Sequence, residues 1–303
     1  MAAALRVAPA VAAALARGAP VVALETAVLT HGLPRPTNLE TARAMEAAVR
    51  AAGALPATVG ALDGALIVGL AEAELERLGR ADGVVKASVR DLPLVVARRW
   101  SAGLTVAATA RLARAAGIDV FATGGIGGVH RGAAASFDIS ADLPVLARTP
   151  LVVVCAGAKS MLDLPATLEW LETAGVPVIG YGTDELPGFI VRATGLRLAA
   201  RADDPAEVAA IYRAQRALGL EQALLVTVPP PAEVAVPAGA AAALLEAALA
   251  ALGERGVHGG EVTPFLLADL AARSGGATLR ANVALLLNNA RLGAAIAQAL
   301  RAW

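Results

Sequence analysis

Two residues in a chain of 303 raise a chemical question before any other. Of the 26 basic residues, 24 are arginine, and only Lys86 and Lys159 are lysine. Arginine stays protonated, whereas a lysine amine can lose its proton and act as a nucleophile. A lysine retained in so arginine-rich a chain points to chemistry that arginine cannot copy; chance survival of two surface lysines is the alternative. Lys159 closes the segment VVVCAGAKS (152–160), a few residues past an apolar run and among small side chains. Desolvation there predicts a lowered amine pKa and a group able to attack a carbonyl. A lysine at a strand end can also hold phosphate as a point charge. Lys86, in VVKASVRDL (84–92) with Arg90 close by, suits that second role better.

Polar residues gather at three further places. ETAVLTHG (25–32) follows an apolar run. It offers Glu25 as an acid beyond the carboxyl end of a strand, where open α/β sheets bind their ligands; an ordinary loop carboxylate is the alternative. The stretch ATGGIGGVHRG (122–132) carries five glycines in nine residues, with Thr123, His130 and Arg131 adding a hydroxyl and potential cations. Glycines let backbone N–H groups approach an anion, so the stretch reads as a phosphate cradle, with a flexible turn as the alternative. It is neither a P-loop nor a dinucleotide fingerprint, because the lysine and the helix start those motifs need are missing. SFDISAD (136–142) sets Asp138 and Asp142 beside Ser136 and Ser140. This oxygen-only set suits Mg²⁺ or Mn²⁺ rather than zinc; for Asp142 a helix cap is the alternative. Together these residues suggest a phosphorylated carbonyl or sugar substrate, an imine-forming lysine, an acid and a divalent metal.

Something must hold those groups in place. Short apolar runs at 20–26, IDVFAT, LVVVCAG, VPVIGY and QALLVTV read as buried strands. Asp63-Gly64 between two apolar runs marks a hairpin. VVKAS and LPLVVARR read as further strands. Helices are expected at 38–52 with Asn38 as its cap, over AEAELERLG, over TVAATARLARAAG up to Gly117, at 162–174, at 204–218, and in three stretches after 238. The alternation predicts an α/β fold: a three-layer α/β/α arrangement in which a mixed, mainly parallel sheet is covered by helices on both faces. The PPPAE turn at 229–233 is the one break, so residues 1–303 are expected to form a single domain with the helical C-terminal part closing over it.

Composition removes several classes. The net charge is zero, with 26 acidic residues against the 26 basic ones, and nine aromatics are few. Nucleic-acid binding asks for a basic surface and stacking platforms. One cysteine excludes a disulfide framework and a cysteine-rich zinc module. No apolar run is long enough to span a membrane and the amino terminus is no convincing signal peptide, so a cytoplasmic protein is expected.

The motifs ALETAVLTHGLPRPTN, PATVGALDGALIVGL, KASVRDL, the run from Thr105 to Leu143, CAGAKSMLDLPATLEWLETAGVPVIGYGTDELPGF, EVTPFLLADLA and ANVALLLNNA occur in that order. Over roughly residues 20–292 the chain resembles the pseudouridine-5′-phosphate glycosidase family. The resemblance implies reversible cleavage of the C–C glycosidic bond of pseudouridine 5′-phosphate to uracil and ribose 5-phosphate. It also implies an α/β/α fold, a homotrimer and one Mn²⁺ per subunit. By position, Lys159 matches the family's nucleophile, Glu25 its proton donor and Asp138 its metal-binding aspartate. Lys86, Val106, Ser140, Ala141 and Asp142 match substrate contacts. Thr123, His130 and Asn282 fall where the family lines its phosphate and base pocket. Two stretches depart from the family pattern: Val228-Pro229-Pro230-Pro231 stands for an Asn-Pro-Ile-Pro turn, and GTDELPGFI lacks an aromatic at Ile190. Both departures bear on base recognition and pocket packing. The rival readings are another imine-forming sugar-phosphate lyase or aldolase, and a ribose-phosphate binding protein without catalysis. The aldolase would need neither metal nor uracil, and the binding protein would not be trapped by borohydride.

Overall fold

The computed structural model describes residues 5–257 and 262–302. The first half of the chain runs β1 (Leu5–Val7), α1 (Pro9–Ala16), β2 (Val21–Leu24), α2 (Thr37–Ala51), β3 (Leu55–Leu62), β4 (Ala65–Val68), α3 (Glu72–Arg80), β5 (Val85–Ala87), α4 (Leu92–Ala97), β6 (Ala102–Leu104) and α5 (Val106–Ala115). It continues with β7 (Val120–Ala122), α6 (Ala133–Ser136), α7 (Asp142–Leu146), β8 (Val152–Cys155), α8 (Leu164–Thr173), β9 (Val178–Tyr181), β10 (Ala200–Ala202) and α9 (Pro205–Ala217). Then follow β11 (Leu224–Thr227), α10 (Ala238–Arg255), α11 (Val262–Arg273) and α12 (Ala277–Ala299). A single π-helical turn, Val28–Gly32, interrupts the path from β2 to α2.

The strands form one sheet in the order β1-β4-β3-β2-β7-β8-β11-β9-β10, with β6 pairing β3 and β5 to the side. β3 runs antiparallel to β4 and β6, and the other pairs are parallel. The sheet is therefore mixed and mainly parallel, as expected. Its central strands are short, wholly buried apolar runs, which is what a sheet covered on both faces requires. Alternate residues serve opposite layers. Val21, Ala23, Phe121, Val153 and Leu225 pack on the side of α1, α5, α7 and α8. Val22, Leu24, Val120, Val154 and Val226 pack on the side of α2, α9 and α12.

Local chemistry explains several element ends. Asp63 and Gly64 both take positive φ, 50° and 87°, as the two-residue turn of the β3–β4 hairpin demands. Asp163 caps α8 by accepting from Ala166 N at 3.0 Å, and Asp204 caps α9 by accepting from Glu207 N at 2.8 Å. Two expectations fail. LPLVVARR is not a strand: its first part forms α4, with Pro93 in the first turn where a missing N–H costs nothing. A six-residue apolar run has no period that separates strand from helix. Asn38 does not cap α2, whose N-cap is Pro36. Buried instead, it donates to Leu29 O at 2.8 Å and Gly79 O at 3.1 Å, and so ties the π-turn to the end of α3.

Candidate active site

β2, β7 and β8 are neighbours in parallel register, with Leu24 opposite Ala122 and Ala122 opposite Val154. Whatever follows these strands must emerge side by side at one edge of the sheet. From β2 the chain moves to β3 on one side, and from β7 to β8 on the other. The gap between β2 and β7 is thus a topological switch point, where open α/β sheets bind ligands. Glu25 follows β2, Thr123 follows β7, and Lys159 lies four residues beyond β8.

Glu25 and Lys159 face a narrow neck of about 50 Å³, lined also by Lys86, His31, Phe189 and Asn282 among others. The neck opens on one side into a polar chamber of about 370 Å³. Glu25, Ala27, Lys86, Lys159 and Thr263 are common to both, and Ser88, Arg90, Val106, His130, Asp138 and Ser140 extend the polar wall. On the other side, past His31, Gly32, Phe189 and Asn282, lies a chamber of about 340 Å³ with mainly aliphatic walls.

Glu25 is buried, and its Oε1 accepts a short hydrogen bond from the Thr123 hydroxyl. Burial pushes its pKa above the ordinary carboxylate value, and the charge of Asp142 pushes the same way. The Lys159 and Lys86 charges and the Thr123 bond pull it back without winning. A carboxyl so placed keeps its proton to higher pH than a surface glutamate, which suits a proton donor. Lys159 is half-buried, not sealed away as its small neighbours suggested; its backbone N–H donates to Ile126 O at 3.1 Å and anchors the loop.

Thr123 is placed differently from the expectation. It is wholly buried, off the cleft wall, and reaches the site only through Glu25. Asn289 on α12 holds it from behind, donating to Thr123 O at 2.8 Å. Helix and strand come this close because residue 293 is glycine: a Cβ there would lie 3.2 Å from that of Ala122.

The glycine loop also differs from a simple phosphate cradle. The N–H groups of Ile126, Gly127, Val129 and His130 donate to Gly157 O, Asp142 Oδ2, Thr167 Oγ1 and Asp138 O. A Cβ at Gly127 would lie 2.2 Å from Ser140 Oγ, and one at Gly128 would lie 2.4 Å from Thr167 Oγ1. Those two glycines permit close packing within the protein, while Gly124 and Gly125 of the same loop line the neck. Asp142, expected as a substrate contact, is 5% exposed, and both its carboxylate oxygens are taken. Ala107 N donates to one at 2.8 Å and Gly127 N to the other at 2.7 Å. It braces α5 against the glycine loop. Ser140 accepts from Asp142 N at 3.2 Å, and Ala141 is exposed beside it.

Asp138 stands at the rim of the polar chamber, its side chain 52% exposed, with Oδ2 3.6 Å from His130 Nδ1. Among the described residues no group of three or more His, Cys, Asp or Glu side chains converges on a metal position. One accessible carboxylate fits a hard cation that keeps most of its water, as Mg²⁺ and Mn²⁺ do, and does not fit zinc.

Sequence reasoning missed several parts of the site. His31 appeared within a motif but received no role; it sits on the π-turn with Nδ1 2.6 Å from Thr30 Oγ1. Phe189, Thr263 and the brace at Asn289 were not singled out, although Asn289 is one of only four asparagines. The rarity that drew attention to the lysines applies to it equally.

The family model for indigoidine synthase A like protein matches residues 10–299. Pseudouridine-5′-phosphate glycosidase of Myxococcus xanthus is 53% identical over 94% of this chain and 95% of its own length. The enzyme of the same name from Gemmatimonas aurantiaca is 55% identical over 95% of this chain and 93% of its own. Among solved structures, the prealnumycin C-glycosynthase AlnA in complex with ribulose 5-phosphate superposes with a TM-score of 0.90 at 41% identity, covering 98% of this chain and 97% of that one. An indigoidine synthase A-like protein from Thermotoga maritima gives 0.88 at 41% identity, covering 94% of each chain.

Proposed function

The chain belongs to the family of indigoidine synthase A-like proteins and pseudouridine-5′-phosphate glycosidases, and from that membership we propose that it cleaves pseudouridine 5′-phosphate reversibly to uracil and ribose 5-phosphate. The observation that carries the reading is the neck itself: a carboxyl whose pKa burial raises, Glu25, and a lysine side chain, Lys159, face one cavity whose far side is polar.

The target bond joins two carbons, so no heteroatom leaving group can be protonated as in ordinary glycosidases. The Lys159 nitrogen bonds to C1′ as the C1′–O4′ bond breaks, and O4′ takes the Glu25 proton. The nitrogen lone pair then forms C=N while the C1′–C5 bond breaks. The electron pair stays on the base carbon, which takes a proton, and uracil departs. Water hydrolyses the imine to ribose 5-phosphate and the free amine. Lys86, Arg90 and the start of α5 hold the phosphate in the polar chamber, where binding remote from the reacting carbon orients it. Asp138 would hold a Mn²⁺ ion at the rim of this chamber, and the ion would supply positive charge beside the phosphate. Asn282 and His31 face the base. The working unit is a homotrimer.

The synthesis direction tests the reading. Incubated with uracil, ribose 5-phosphate and Mn²⁺, the protein is expected to yield pseudouridine 5′-phosphate. A borohydride-trapped sugar adduct without any nucleoside would instead favour an aldolase, and neither product would leave a binding protein.

A further inference from the structure

His31 reaches the neck from the π-turn after β2, and the bonds behind it decide which ring nitrogen carries a proton. Single π-helical turns of this kind, Val28–Gly32 here, occur frequently at functional sites. Thr30 Oγ1 lies 3.0 Å from Thr26 O and 2.6 Å from His31 Nδ1. A carbonyl only accepts, so the one hydroxyl proton of Thr30 goes to Thr26 O, and the bond to the ring is donated by Nδ1–H. The neutral imidazole is therefore the Nδ1–H tautomer, with its lone pair on Nε2. The support behind Thr30 is fixed. Thr26 is wholly buried, and its hydroxyl donates to Val59 O at 2.7 Å and accepts from Leu104 N at 3.0 Å. Residue 103 on β6 is glycine, and a Cβ there would lie 1.9 Å from Thr30 Oγ1, so the strand leaves the room that this hydroxyl fills. His31 itself lines both the neck, with Glu25 and Lys159, and the chamber beyond it. With C1′ at Lys159, the base on C1′ lies in that space.

We propose that His31 is a specificity-determining residue of the base site: its Nε2, kept as an acceptor by the Thr30 hydroxyl on the other ring nitrogen, accepts a ring N–H of uracil. The inference rests on the proposed function and names how that same site reads its base. Uracil carries two N–H donors, at N1 and N3, between carbonyl acceptors. An acceptor of fixed tautomer takes an N–H at its place and turns away a carbonyl or a methylated nitrogen. In the synthesis direction the group acts on binding of the base. It does not act on the Lys159 imine, which forms from ribose 5-phosphate alone.

The test runs the synthesis direction with ribose 5-phosphate and uracil, 1-methyluracil or 3-methyluracil below saturation, reading nucleoside phosphate by mass. The wild-type protein is expected to favour uracil over one of the two methyluracils by about tenfold or more, and the blocked nitrogen identifies the N–H that is read. His31→Leu is expected to lower uracil product about 10- to 100-fold through KM, the effect of leaving a buried N–H without its acceptor. Borohydride should still give the pentose-phosphate adduct on Lys159 in this variant. His31→Gln sets an amide oxygen near the place of Nε2 and is expected to recover part of the uracil product, which a space-filling role would not allow. Thr30→Ala and Thr30→Ser differ by the hydroxyl alone, and this pair decides even if His31→Leu fails to fold. Only Thr30→Ala is expected to lose uracil product, because its His31 ring takes either tautomer. Equal use of all three acceptors by the wild-type protein overturns the inference and leaves the proposed function standing, as does equal uracil product from the two Thr30 variants. Neither nucleoside nor adduct from the wild-type protein removes the underlying reading, and the inference with it.

Discussion

Glu25 has to give up a proton to the sugar oxygen, so its buried position matters more than its identity as a carboxylate. Burial raises its pKa, and the Thr123 hydroxyl, by donating to it, favours the charged form and holds the rise in check. The sign for activity follows. Cleavage needs protonated Glu25, so kcat falls as pH rises through the raised pKa. Thr123→Val keeps the shape and removes the donor. It is expected to move that alkaline limb to higher pH, at a stability cost of about 1 kcal/mol for the lost buried hydrogen bond. Glu25→Gln is expected to abolish the limb and lower turnover by roughly 10²–10⁴-fold. A pH–rate profile checks both; an unmoved limb in Thr123→Val would detach Glu25 from the observed titration.

Among the elements, the brace at Asp142 decides whether the polar chamber keeps its form. Its two oxygens take N–H groups from α5 and from the glycine loop. Asp142→Ala strands both donors in a mostly buried wall, and about 2–6 kcal/mol of stability should be lost at roughly 1–3 kcal/mol per unpaired group. Asp142→Asn, which keeps one acceptor, should lie between. Denaturant melts measure this, and wild-type stability in Asp142→Ala would make the residue a ligand contact after all. The same region marks the limit of what the sequence could tell. β2, β7, β8 and β11 were legible because short apolar runs with polar residues just beyond them suit few structures other than buried parallel strands. Glu25 and Lys159 were legible because rare chemistry sat at those ends. The roles of Asp142 and Thr123 were not, since each depends on which group arrives opposite it from 35 and 98 residues away. Nor was α4, where tertiary packing chooses between two conformations that an apolar hexamer permits equally.

At the scale of the whole molecule, the sheet's switch point gathers the reacting groups, and α12 presses on β2, β7 and β8 to hold them. No helix among the described residues is long and apolar enough to cross a membrane. The proposed homotrimer predicts a light-scattering mass three times that of the chain, and a monomeric mass in active protein would contradict it. The central claim is the covalent bond from Lys159 to the sugar, which requires sheet, neck and chamber together. Borohydride added to the protein with ribose 5-phosphate, followed by peptide mass spectrometry, tests it most directly. The expected result is a reduced pentose-phosphate adduct on Lys159, absent from Lys159→Arg, which should remain folded and inactive. An unmodified Lys159 in active enzyme, or turnover by Lys159→Arg, would contradict the account.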